Sequence, residues 1–66
     1  MIGKVIRTLQ DKGFGFIMGD DKREYFFHRS AVRGAHFEEM QTGVAVEFRA
    51  EEKVGKGPRA EDIHVL

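Results

Sequence analysis

The chain has 66 residues and no cysteine, and its 11 Lys and Arg balance 11 Asp and Glu. At this length we expect one domain spanning residues 1–66, which buries only about 60% of its unfolded surface and so has a small core. The missing cysteines exclude disulfides and thiolate metal sites. Together with the absence of a long apolar run, they predict a soluble protein of the reducing cytoplasm.

The charges are unevenly distributed. Residues 1–36 carry seven Lys and Arg and four Asp and Glu, a net charge of +3, whereas residues 37–66 carry four and seven, a net charge of −3. Charged stretches of small proteins are most often solvated surface. The balanced total gives no general argument for a polyanionic partner, but the first half has an excess of positive charge.

Short segments of strand type follow one another, and no stretch longer than a few residues has the period of a helix. Five short strands with one long link between the third and the fourth predict an all-β fold, a five-stranded antiparallel OB barrel. The predicted strands are 5–9, 14–19, 24–28, 44–51 and 60–66.

The connections carry turn signals. GDDKR at 19–23 predicts a hairpin turn, and EKVGKGP at 52–58 predicts a loop in which Pro58 lies at the start or edge of a strand. The long link at 29–43 contains Ser30, which we expect to cap one helical turn.

The last two strands differ in how well they alternate. Alternation in the fourth strand predicts one core face, made of Val44, Val46, Phe48 and Ala50. In the fifth strand, the alternation that buries Ile63 and Val65 also points Glu61 inward. We therefore expect a bulge there, or a position at the barrel mouth.

Two aromatic motifs lie on neighbouring strands. In KGFGFI at 12–17, Phe14 and Phe16 share one face, and the glycines at 13 and 15 suggest an uncrowded surface or a close approach to the backbone. In EYFFH at 24–28, Tyr25 and Phe27 share one face, and Phe26 and His28 share the other. A sheet this small cannot bury both sets of rings. If Tyr25 and Phe27 enter the core, three phenylalanines and an imidazole cover one outer surface.

These motifs resemble those of the cold-shock domain family. KGFGFI is similar to the first ribonucleoprotein motif of that family, and YFFH at 25–28 stands where the second is usually written VFVH. The resemblance extends through GKV at 3–5, SAV at 30–32 and GPRAEDI at 57–63. It implies a five-stranded OB barrel that binds single-stranded RNA or DNA, with a role as a nucleic-acid chaperone or a regulator of transcription or translation.

The sequence departs from the family pattern at two places. The first strand reads Val-Ile-Arg-Thr where the family usually has Val-Lys-Trp-Phe, and Arg29 follows His28 where the family often has Phe. A guanidinium plane can stack on bases and also pair with phosphate. The binding set that the resemblance implies is Lys12, Phe14, Phe16, Phe26, His28 and Phe37, with Arg59 at a polar contact position and Arg7 and Arg29 at positions that the family fills with rings.

Several of these side chains have a purely structural alternative. Phe37 could equally pack beneath its own loop, whereas Met40 and Phe48 are core residues on any interpretation. His36 and His64 have no metal-ligand spacing relative to His28, so we expect no metal or other cofactor.

Enzyme motifs are poorly matched. GFG at 13–15 lacks the third glycine of a dinucleotide fingerprint, and GKG at 55–57 lacks the pattern of a phosphate loop. Ser30, the only serine, has no evident acid partner for a triad with His28. We therefore expect a non-enzymatic binding protein without a small-molecule substrate. We also expect it to be a monomer without a membrane partner. The alternative is a protein-interaction module on the same barrel, since an exposed aromatic patch suits that role too.

Overall fold

A computed structural model describes residues 1–53 and 57–66. They form five strands that close into a barrel in the order β1, β2, β3, β5, β4, with β4 pairing back to β1. The all-β five-stranded barrel is therefore confirmed. The neighbouring pairs are antiparallel except β3 and β5, which run parallel. The strands are β1 Ile2–Leu9, β2 Phe14–Gly19, β3 Glu24–His28, β4 Ala45–Lys53 and β5 Gly57–Val65.

The β2–β3 hairpin has the bounds that the sequence predicts. Its turn is closed by the Lys22 amide, which donates to the Gly19 carbonyl at 3.0 Å, and Lys22 has a positive φ of 69°. Pro58 is the second residue of β5, as expected for a residue that cannot donate to a ladder. Of the loop predicted at 52–58, residues 54–56 lie outside the described part of the chain.

The core is filled by alternate side chains of all five strands. Tyr25 and Phe27 are buried, as the outward assignment of Phe26 and His28 requires. Met40 and Phe48 are also in the core, as predicted. The complete set is Val5, Ile17, Tyr25, Phe27, Ala31, Phe37, Met40, Val46, Phe48, Ala60 and Ile63.

Gly15 faces this core and not an open surface. A Cβ at Gly15 would lie 2.6 Å from the Arg7 carbonyl oxygen and 2.9 Å from Cε1 of Phe27. The close approach that glycine indicated is thus an internal packing contact. The suggestion that this glycine opens the outer surface is wrong.

The expected irregularity in β5 is a bulge. The pairing of β5 with β4 shifts by one residue between Glu47 and Arg49, and Asp62 opposite this shift has a positive φ of 50°. The bulge places Ala60 and Ile63 in the core, three residues apart, and leaves Glu61 on the outer face. Val65 is 41% exposed, so its predicted burial is wrong.

Two smaller expectations also differ from the structure. Ala50 was predicted to be buried but is exposed. It lies in β4 beyond the point where the pairing with β5 shifts. Ser30 does not cap the first helical turn, because it lies inside a 3-10 turn at Arg29–Ala31 whose cap is His28. A second 3-10 turn follows at Phe37–Glu39.

Candidate nucleic-acid interface

Residues paired across neighbouring strands share one face of the sheet, and their register defines a row on the outer surface. Arg7 of β1 is opposite Phe16, Phe16 is opposite Phe26, and Phe26 is opposite Arg59 of β5. Two rings in the middle of this row are therefore flanked by an arginine at each end. A second row beside it contains Phe14 and His28. We call Phe14, Phe16, Phe26 and His28 together the aromatic face.

The three phenylalanine rings of the aromatic face form one cluster. Their centroids are 6.1 Å apart for Phe14 and Phe16, 5.4 Å for Phe14 and Phe26, and 6.0 Å for Phe16 and Phe26. Each ring is partly buried by its neighbours, and two of the three pairs are edge to face. Such pairs stabilise one another by about 0.5–1.5 kcal/mol beyond area burial, so the three rings hold one another in place.

His28 extends the aromatic face at the end of β3, where its side chain is exposed. Nδ1 of the imidazole accepts a hydrogen bond from the Ser30 amide at 3.1 Å and lies 2.9 Å from Ser30 Oγ. The neutral ring then carries its proton on Nε2. The cap fixes the imidazole next to Phe14, and no metal is needed to explain its position.

A bulge in β1 turns Arg7 outward. Val5 is buried, and regular alternation would point Arg7 to the same interior face. The pairing with β2 shifts by one residue between these two positions, so Arg7 is exposed beside Phe16. Nothing in the sequence of this strand predicted the bulge.

Lys12 lies in the turn that precedes β2, and Arg29 packs against the glycine that follows it. Lys12 is exposed, and its amide donates to the Leu9 carbonyl at 3.1 Å. Gly13 follows with a φ of 76°, and its carbonyl accepts from the Arg29 amide at 2.8 Å. A Cβ at Gly13 would be 3.2 Å from Cδ of Arg29, so the arginine stem covers this glycine. The Arg29 stem therefore lies next to Phe14 and His28, and Lys12 is exposed two residues before Phe14.

Arg7 and Arg29 also differ from the other arginines in their partners. Arg23, Arg33, Arg49 and Arg59 each form an ion pair with a carboxylate. Within residues 1–53 and 57–66, neither Arg7 nor Arg29 forms one. Their guanidinium groups remain available to an anion, at the two positions where the family has rings.

Arg59 packs against the opposite side of the cluster from Arg7. Its guanidinium carbon lies 5.3 Å from the centroid of Phe26, a cation–π contact. Its Nε is 3.6 Å from the Glu61 carboxylate, is enclosed, and has no hydrogen-bond partner among the described residues. An enclosed donor without a partner costs about 1–3 kcal/mol.

Phe37 does not belong to the aromatic face. Its side chain is only 8% exposed, and its ring lies 5.9 Å from that of Phe27 in the core. The second 3-10 turn directs it inward beneath the loop, which is the structural alternative for this residue. We therefore leave Phe37 out of the proposed binding set.

Two residues of this surface were not predicted from the sequence. Leu9 is opposite Phe14 in the register of β1 and β2 and is partly buried there. Glu61 lies beside Arg59 on the outer face because of the bulge at Asp62. For Glu61, the sequence signal was the conflict in the alternation of the fifth strand, which pointed this charged residue inward. For Leu9 there was no sequence signal, because the bulge in β1 changes the face of the sheet on which its side chain lies.

Other kinds of site are not supported by the described residues. No group of three His, Asp or Glu in residues 1–53 and 57–66 is placed to hold a metal ion. In the same part of the chain, no helix has the length and apolar character to cross a membrane.

Comparisons with a family model and with known proteins identify the same family. The model of the 'Cold-shock' DNA-binding domain matches residues 1–66. A cold shock-like protein of Thermotoga maritima is 38% identical over 66 residues, which cover 100% of this chain and 98% of that protein. A cold shock-like protein of Aquifex aeolicus is 40% identical over 58 residues, covering 86% and 81% of the two chains. Cold shock protein 1 of Lactiplantibacillus plantarum is 40% identical over 53 residues, covering 80% and 79%. This chain belongs to the cold-shock domain family, a family of nucleic-acid-binding proteins.

Proposed function

We propose that this protein binds single-stranded RNA or DNA as a monomeric, non-enzymatic domain of the cytoplasm. Bases stack on the aromatic face, and Lys12, Arg7 and Arg29 contact the phosphates, with Arg59 at the edge of the face. The observation that carries the proposal is the placement of three clustered phenylalanines on the outside of β2 and β3, while Tyr25 and Phe27 fill the core.

The size of the stacking term sets the expected affinity. Each stacked base contributes about 1–3 kcal/mol, so the four side chains of the aromatic face contribute about 4–12 kcal/mol. Association costs on the order of 4–15 kcal/mol. Stacking therefore leaves a net of at most about 8 kcal/mol, which corresponds to a micromolar affinity, and phosphate contacts from the cations add to it. Stacking dominates, and charge adjusts the affinity.

The biological role that we propose follows from a preference for single strands over duplexes. A duplex keeps the faces of its bases stacked on one another, so the aromatic face has access to them only in a single strand. A ligand that binds one state and not the other shifts the equilibrium towards the state it binds. The protein therefore acts as a nucleic-acid chaperone without ATP, or as a regulator of transcription or translation through local strand opening.

The test is a titration of labelled oligonucleotides followed by fluorescence anisotropy. We expect saturable binding to single-stranded oligothymidine and to mixed-sequence strands, and much weaker binding to the matched duplex. If two to four phosphates are neutralised, log affinity falls with log salt at a slope of about −1.4 to −2.8. Absence of binding to every single strand at low salt would contradict the proposal and favour a protein-interaction module.

A further inference from the structure

Arg59 and Glu61 form an ion pair on the outer face but are not hydrogen-bonded to each other. The distance of 3.6 Å between Arg59 Nε and the Glu61 carboxylate is longer than a hydrogen bond. Arg49, opposite Glu61 in β4, is already bonded to Glu51 and Asp62. Among the described residues, Glu61 therefore keeps unused acceptors and Arg59 keeps unused donors.

The pair lies where the edge of a stacked base would reach. Arg59 is opposite Phe26 in the register of β3 and β5, and its guanidinium is in contact with that ring. Both side chains are partly enclosed, with 27% of Arg59 and 23% of Glu61 exposed. Partial burial strengthens hydrogen bonds to charged groups relative to those on an open surface. Because Nε is enclosed, the terminal nitrogens of Arg59 are the donors that remain for a ligand.

Guanine is the base whose edge matches this pair. It presents two adjacent acceptors, O6 and N7, to which an arginine fork donates in the commonest specific base contact. Next to them it presents two donors, N1–H and the N2 amino group, which suit a carboxylate that only accepts. Cytosine and adenine place an acceptor where the carboxylate requires a donor, and uracil and thymine offer a single N–H between two acceptors.

We propose that Arg59 and Glu61 form a guanine-reading subsite at the edge of the aromatic face. The proposal rests on the proposed function, since the base must first stack on Phe26. It predicts that this protein prefers single strands with a guanine at one position over strands composed only of pyrimidines. A bidentate contact discriminates between bases by a factor of roughly 5 to 150, so we expect about tenfold tighter binding.

The experiment scans one guanine through each position of an oligothymidine of about eight nucleotides, within the site size of an OB fold. A single guanine avoids four-stranded structures. At the preferred position, 7-deazaguanine removes the N7 acceptor, and hypoxanthine removes the N2 amino group. In the unmodified protein, each analogue should lose most of the tenfold gain.

The variants assign each loss to one side chain. Arg59→Lys keeps the charge but not the fork, so it should abolish the response to 7-deazaguanine and leave the salt slope unchanged. Glu61→Gln should abolish the response to hypoxanthine. The matched control is Arg23→Lys. Arg23 also pairs with a carboxylate, and its guanidinium carbon lies 5.8 Å from the centroid of the Tyr25 ring, but it is outside the aromatic face. It should keep the full preference for guanine.

The results separate this inference from the proposed function. Saturable binding without a guanine preference at any position would overturn the subsite and leave single-strand binding intact. A guanine preference that survives both Arg59→Lys and Glu61→Gln would overturn it as well. Equal weakening of all sequences by Arg59→Lys, with a shallower salt slope, would show that Arg59 contacts only phosphate. Failure to bind any strand would overturn both proposals.

Discussion

Phe26 and Phe27 are neighbours in β3, yet Phe27 is fully enclosed and Phe26 is partly exposed in the cluster with Phe14 and Phe16. The interior ring packs within the core, whereas the exterior ring packs against other exterior rings and Arg59. The same kind of side chain is therefore part of the barrel core on one face and part of an exposed aromatic surface on the other. What decides between the two roles is strand alternation, and not hydrophobicity.

The largest effect that tests this comparison is on stability. Phe27→Ala should lower the free energy of unfolding by about 3–5 kcal/mol, because it leaves a cavity in a closed core. For a domain of this size, that is a large part of a total of roughly 3–10 kcal/mol. Urea unfolding followed by circular dichroism measures the loss. A loss below about 1 kcal/mol would mean that the ring is not a core residue.

The matched change on the other face should affect binding. Phe26→Ala should weaken single-strand binding by about 1–3 kcal/mol through the loss of one stacking contact. It should cost less stability than Phe27→Ala, since the ring is only half-buried. Anisotropy titration and urea unfolding of the same two variants measure both quantities. Reversal of the two effects would mean that the strand presents the opposite face.

Strand alternation also explains how much of the molecule could be predicted. The β2–β3 hairpin has the predicted bounds and faces because its alternation is unbroken and its turn is short. In β1 and β5, one extra residue in each strand reverses the alternation. Those bulges depend on pairing between strands that are distant in sequence, so local pattern cannot place them. The positions of Arg7, Leu9 and Glu61 follow from them.

Phe37 marks a different limit of prediction. The family resemblance favoured the surface, and the loop sequence allowed either outcome. Its burial depends on the 3-10 turn at Phe37–Glu39 and on space beside Phe27 in the core. Neither the turn nor the space can be derived from residues 29–43 alone.

A smaller effect is expected from extending the aromatic face to the positions of the two unpaired arginines. Arg7 is beside Phe16, and the Arg29 stem covers Gly13 next to Phe14. Arg7→Trp with Arg29→Phe should add two stacking platforms, worth about 2–6 kcal/mol, and lose about 1–3 kcal/mol of charge-assisted contacts. We expect tighter oligothymidine binding with a shallower salt slope. Titration of both proteins with oligothymidine at two salt concentrations tests this expectation. Equal or weaker binding by the variant at both concentrations would mean that the guanidinium groups are the better contacts.

The smallest effect concerns the bulge that orients Glu61. Arg49 Nε donates to the Asp62 carboxylate at 3.0 Å, and this hydrogen bond lowers the pKa of Asp62 below its usual value. Arg33 also pairs with Asp62, at 3.4 Å. A carboxyl group whose pKa is lower in the folded state stabilises the protein above its unfolded pKa of about 3.9, and this contribution is lost as the pH falls through the folded value.

Asp62→Asn removes the charge and keeps a side chain that tolerates positive φ. The variant should be slightly less stable than the unmodified protein at pH 7, by a small amount because the ion pairs are exposed to solvent. The difference between the two urea midpoints should shrink as the pH is lowered from 7 to about 2, because the carboxyl group of the unmodified protein then becomes neutral. Asp20→Asn is the control, since Asp20 forms no ion pair within residues 1–53 and 57–66. A difference that stays constant with pH would show that Asp62 holds the bulge by backbone conformation alone, and that its charge has no part in presenting Glu61 on the outer face.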